Sequence, residues 1–160
     1  MIRADRSPRR GATGWFGRRR RSALPTEGWS GTEERPRVLV ECQDSAMTWA
    51  MERVLDDAGY EVASCHGPTG NARCELVETG HCDLQAGADV IVNCLGGRDT
   101  GGPVIARTTS AALPETPLIV GAAPNRAPGD LPWAASVLNQ PWQAPTLVAM
   151  VDDVLDHERA

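Results

Sequence analysis

Apolar residues fall in short clusters along this chain, and their spacing changes from cluster to cluster. Val38-Leu39-Val40 is an unbroken apolar run, the pattern of a strand covered on both faces. Met47, Met51, Val54, Leu55 and Ala58 then recur at helical spacing behind a cap at Asp44 or Ser45, and Gly59 ends that helix. Tyr60–Cys65 reads as a second strand. From His66 to Gly87, glycine and proline interrupt the pattern, which predicts at most one short helix, over Cys74–Thr79. Ala88–Asn93 is a third strand, Val104–Leu113 a helix stopped by Pro114, Pro117–Val120 a fourth strand, and a short fifth lies near Ala135–Leu138. In the last helix Pro145 suits the first turn, where no amide hydrogen is needed. Leu147, Val148, Val151, Val154 and Leu155 form its apolar face, and Asp152, Asp153, Asp156 and Glu158 lie mainly on the wet side.

Short apolar strands alternating with helices imply an α/β domain with a parallel sheet covered on both sides. Right-handed crossovers then favour a flavodoxin-like, doubly wound five-stranded sheet of order 2-1-3-4-5 over residues 37–158. Its crevice would lie at the carboxyl ends of strands 1 and 3.

Charge divides the chain at the same boundary. Residues 1–36 hold nine arginines against four acids, a net of +5; residues 37–160 hold seven against seventeen, a net of −10. The first segment, rich in Arg, Gly, Pro and Ser without apolar period, is expected to be a disordered tail. Its run Arg18–Arg21, after Trp15 and Phe16, could touch nucleic acid or acidic lipid, or be a solvated leader. The acidic remainder is a poor general binder of nucleic acid. No stretch approaches the roughly 20 apolar residues of a membrane span. The N-terminus lacks the apolar core of a secretory signal, so a cytoplasmic location is expected.

The order of elements resembles a response-regulator receiver domain of the CheY-like superfamily. The resemblance rests on Val38-Leu39-Val40 with its capped helix and Ala58-Gly59-Tyr60-Glu61-Val62, on Ala88–Val92, on Thr116–Val120, on Asn139-Gln140-Pro141-Trp142, which is similar to the family's Lys-Pro-Phe turn, and on Thr146-Leu147. Residues 66–87 and 124–133 depart most from the pattern. The family's chemistry implies an acidic pair after strand 1 for Mg²⁺ and a phosphoryl-accepting Asp at the end of strand 3. It also implies a hydroxyl after strand 4 and a Lys after strand 5. The matching positions here are Cys42 and Gln43, Cys94 (or Asn93 with a one-residue slip), Gly121 and Ala122, and Gln140. Asp44 flanks this pocket and either caps the helix or turns inward. The chain contains no lysine. Mg²⁺ wants oxygen ligands and phosphoryl transfer wants charge in place, so the resemblance implies a degenerate pseudo-receiver. Such a protein would not be an enzyme, would need no cofactor, and would act in two-component signalling through contacts with another protein. The chain as read stops two residues after Glu158, so its effector is expected on another chain. A true phosphoacceptor at Asp89 or Asp99 is a third, weaker reading.

Five cysteines add a second class of hypothesis. Cys65-His66, Cys74 and His81-Cys82 gather where strand 2 and the following loop meet. They could hold zinc as a Cys₃His set or act as a redox sensor; inert packing of thiols is the plainer reading. Gly96-Gly97 and Gly101-Gly102 lack dinucleotide-binding order, and Ser110 and His157 lack a triad context. The family's helix between strands 4 and 5 maps onto 124–133, where three prolines favour a loop. That loop should bring Trp133 near Trp142, either as a partner surface or as filling for the missing helix. Val137 stands where the family carries its switching aromatic.

Overall fold

Strands and helices alternate as the apolar pattern requires. The structure, a computed structural model, describes residues 28–30, 35–68, 73–96, 102–123 and 131–157. Its elements are β1 (Arg37–Glu41), α1 (Ser45–Asp57), β2 (Glu61–Cys65), α2 (Glu75–Thr79), α3 (Asp83–Gly87), β3 (Val90–Asn93), α4 (Gly102–Ala112), β4 (Leu118–Ala122), β5 (Ser136–Asn139) and α5 (Ala144–His157). The five strands form one parallel sheet of order β2-β1-β3-β4-β5. The expected fold class and strand order are therefore the observed ones.

The sheet separates two apolar clusters. Val38, Val40, Val90, Val92, Ile119 and Leu138 face α1 and α5, and meet Met51, Leu55, Leu147 and Val151. Leu39, Ile91 and Leu118, one residue out of phase, face the other side with Ala63, Ala88 and Ala106. Burying each large aliphatic side chain is worth about 1.5–3 kcal/mol.

Three features depart from expectation. First, residues 1–36 are not all outside the domain. The Trp29 indole is only 4% exposed and belongs to the second cluster. Its Nε1 donates to the Leu84 carbonyl at 3.1 Å, and the Arg37 guanidinium lies 5.5 Å from its ring centre. Ser30 donates through its amide and hydroxyl to Glu61, and Arg35 pairs with Asp56. Residues 1–27, with Trp15, Phe16 and Arg18–Arg21, lie outside the described residues. Second, the loop between β2 and β3 holds two short helices instead of one. Gly80, at φ +77°, caps α2 in the left-handed conformation, and the chain restarts as α3 after Cys82. Third, β4 runs on to Ala122, so Gly121 and Ala122 are strand residues. Most of the proline-rich segment, 124–130, lies outside the described residues, as does Asp99.

Among the described residues no helix is long and apolar enough to cross a membrane.

Candidate functional site

The crevice is set by where β1 and β3 end. Register pairs Val38–Glu41 with Val90–Asn93, so the carboxyl ends of both strands are level. Alternation then decides which side chains face α1 and α5. Cys42 and Cys94 continue the Val38-Val40 and Val90-Val92 series on that face. Asn93 faces the other way, where its Nδ2 donates to the Glu41 carboxylate.

Asp44 is the N-cap of α1: its side chain accepts from the Met47 amide at 2.8 Å. It does not turn into the pocket. Gln43 is exposed. The Cys42 carbonyl receives the Thr48 hydroxyl at 3.1 Å and lies 3.1 Å from His66 Nδ1, which pins the loop after β1. Gln140 reaches across from β5; its amide donates to the Ala122 carbonyl at 3.1 Å and its Nε2 to the Met47 sulfur at 3.8 Å. The Gln140–Pro141 peptide is cis. Gly121 leaves room for the neighbouring thiol, since a Cβ there would stand 2.7 Å from Cys94 Sγ. Burial pushes the Cys94 thiol up to about 12, helped by the Cys42 and Glu41 charges and opposed by the Gly121 amide. It is a protonated thiol at neutral pH.

On the opposite face lies a polar network that the sequence did not reveal. Glu41 is 2% exposed. Its carboxylate accepts from Gln85 Nε2 and from Asn93 Nδ2, the latter at 2.6 Å. Gln85 in turn accepts from the Thr109 hydroxyl at 3.2 Å. The chain of bonds ties β1, β3, α3 and α4 together. Desolvation raises the Glu41 pKa, and the two amide donors only partly oppose it. At the other end of the sheet Glu61 shows the reverse. Burial alone would raise its pKa, but bonds from Ser30 and Arg37 outweigh burial and hold it low.

The cysteines and histidines from Cys65 to Cys82 lie along β2 and the two short helices that follow it. Cys74 and Cys82 are the N-cap residues of α2 and α3, and Cys65 ends β2. Desolvation is the largest cause raising the Cys65 and Cys82 pKa values; the charges of Cys82 and Cys74 add to it at Cys65, and those of Glu75 and Cys74 at Cys82. All five cysteines are free thiols. Raised proton affinity makes Cys65 and Cys82 poor nucleophiles. His66 is engaged with the Cys42 carbonyl, and exposed His81 with Asp83 at 2.7 Å. Among the described residues no three His, Cys, Asp or Glu side chains are arranged to hold a metal ion. Zinc on Cys65, His66, Cys74, His81 and Cys82 is thus without geometric support.

The two tryptophans expected on one surface pack on opposite sides of the sheet. Trp133 lies against the cluster of Leu39 and Leu118, and Trp142 against that of Val40 and Leu147. β5 passes between them, and each is half-buried. The most exposed large aromatic among the described residues is instead Trp49, on the outer face of α1, at 68%. Asp89 lies at the amino end of β3, away from the crevice, and accepts from the Arg37 amide at 2.7 Å. His157, in the last turn of α5, bonds the Asp153 carbonyl at 2.7 Å.

No protein-family model matches the chain, and no curated protein does. Solved structures do resemble it. The chemotaxis protein CheY4 of Vibrio cholerae superposes with a TM-score of 0.59 at 20% identity, over 76% of this chain and 99% of that one. A response-regulator receiver domain protein from Clostridium thermocellum gives 0.59 at 19%, over 78% and 97%. A putative pilus assembly protein from Burkholderia thailandensis gives 0.56 at 20%, over 78% and 98%. At such identities the likeness carries the fold, and the fold of this chain is that of a CheY-like receiver domain.

Proposed function

We propose that this chain is a pseudo-receiver, a cytoplasmic regulatory protein that signals through contacts with another protein and without phosphoryl transfer. The observation that carries the reading is the composition of the crevice. Cys42 and Gln43 stand where an acidic pair would hold Mg²⁺, and Cys94 stands where an Asp would accept the phosphoryl group. Gly121 and Ala122 offer no hydroxyl, Gln140 no ammonium, and the chain has no lysine to substitute. Hard-cation binding and charge stabilisation of a transferring phosphoryl group both lose their donors. The switching pair is gone as well. Val137 lies beside Val120 in the β4–β5 ladder, and neither it nor Gly121 can make a hydroxyl-linked hydrogen bond. A partner surface on such a domain is constitutive.

Trp49 is the side chain on which to test the contact, because aromatic residues dominate binding hot spots. The experiment is capture of partners from native lysate by the full chain, with and without a small phosphodonor and Mg²⁺. Trp49→Ala should reduce capture while changing the unfolding free energy by no more than a surface substitution does, about ±0.5 kcal/mol. Equal capture with and without phosphodonor supports the reading, and capture that depends on the phosphodonor overturns it.

A further inference from the structure

Among the described residues, sulfur follows the carboxyl ends of both β1 and β3, at Cys42 and Cys94. Cys42 and Cys94 are the next step of the ladder that pairs Glu41 with Asn93. Backbone bonds continue through that step: the Cys94 amide donates to the Glu41 carbonyl at 2.7 Å, and the Cys42 amide to the Cys65 carbonyl at 3.0 Å. The two residues thus sit side by side on one face, about one strand spacing of 4.8 Å apart. Met47, in the first turn of α1, packs against the same cluster, as does Trp142. Its sulfur is held toward Gln140, the residue at the lysine position. Two thiols and a thioether from three separate elements therefore share the sheet face on which β1 and β3 end, with the Met47 sulfur beside Gln140.

We propose that Cys42, Cys94 and Met47 form a binding site for a soft monovalent cation of the copper(I) class. Thiolate and thioether sulfur select copper(I), whereas the carboxylates they replace select Mg²⁺. The change is one of hardness at a constant place in the fold. Binding breaks two S–H bonds and forms two S–Cu bonds. Both protons leave to solvent, and copper remains in the +1 state, so no oxidant or reductant takes part. Met47 adds a neutral third donor. The Gly121 amide, which points at Cys94 Sγ, supplies a dipole for the resulting anionic bis-thiolate. The absence of a side chain at Gly121 leaves the space the sulfur needs. The Cys42 thiol donates to the Asp44 carbonyl at 3.7 Å. Binding turns it toward Cys94 by a rotamer step. This site is distinct from the Cys65, Cys74 and Cys82 group, and it stands apart from the partner-contact reading, since either can fail alone.

The test is anaerobic titration of the reduced full chain with copper(I) in competition with bicinchoninate. The background is Cys65→Ser/Cys74→Ser/Cys82→Ser, which removes the other thiols. That background should keep one equivalent of tight binding. Within it, Cys94→Ser should weaken binding by about a hundredfold or more, and Met47→Leu, a volume-conserving change, by about tenfold. The Met47→Leu protein should keep the melting temperature of its parent, which separates lost ligation from lost folding. Loss of the bound equivalent in the background protein, or unchanged affinity in both Cys94→Ser and Met47→Leu, would overturn the proposal.

Discussion

Replacing Trp29 by alanine tests whether the segment before β1 is part of the domain. The indole is almost wholly buried among Leu39, Ala63, Ala88, Ile91 and Leu118, and its Nε1 satisfies the Leu84 carbonyl. Truncating a buried Trp to Ala costs about 3–5 kcal/mol. Part of that loss is returned if Gly28–Ser30 then lets go, because each freed residue regains about 1–2 kcal/mol of backbone entropy. The expected loss is therefore near the lower end, about 3 kcal/mol, a large share of a stability of about 5–15 kcal/mol. Trp29→Phe should cost about 1 kcal/mol, since it keeps most of the apolar contact and loses the bond to Leu84. Deleting residues 1–34 should match Trp29→Ala, because Trp29 is the largest anchor among the described residues before β1. Urea unfolding of the four proteins, followed by circular dichroism, measures these differences. A deletion protein as stable as the full chain, within about 0.5 kcal/mol, would show that Trp29 is not part of the folded core.

Two further substitutions probe the sheet. Glu41→Gln should stabilise the domain at neutral pH and flatten its pH dependence. Burial raises the folded carboxyl above its ordinary 4.5, so the wild-type contribution is fully present below that value and is lost as pH rises through the folded pKa. The gap between E41Q and wild type should shrink as pH falls toward 4.5 in urea titrations; a gap that widens on acidification would contradict the sign. Gly102→Ala should unfold the domain or cost about 4 kcal/mol or more. A Cβ there would stand 1.4 Å from the Leu95 carbonyl oxygen, and a thermal melt close to wild type would show that the backbone can yield.

Local pattern carried most of this fold. The runs at Val38–Val40 and Val90–Val92 and the helical stripes at Met47–Leu55 and Leu147–Leu155 each report burial through their own period, and their order limits the topology. The same alternation places Cys42 and Cys94 on one face and Asn93 on the other. What stayed hidden was set by distant contacts. Trp29 sits among polar and glycine residues with no period around it, and its partner Leu84 is 55 positions away. Glu41 looks like the polar end of a strand until Gln85 and Asn93, 44 and 52 positions on, are folded against it. The helices α2 and α3 are five residues each, shorter than any window in which helical spacing repeats. Trp133 and Trp142 are near in sequence, but the strand between them sends them to opposite faces.

The crevice of the proposed pseudo-receiver should take no phosphoryl group. The most direct test is intact-mass measurement of the full chain after incubation with acetyl phosphate or phosphoramidate and Mg²⁺. No Mg²⁺-dependent adduct is expected. A stable gain of about 80 Da, the mass of one phosphoryl group, that is abolished by changing a single aspartate to asparagine would contradict it.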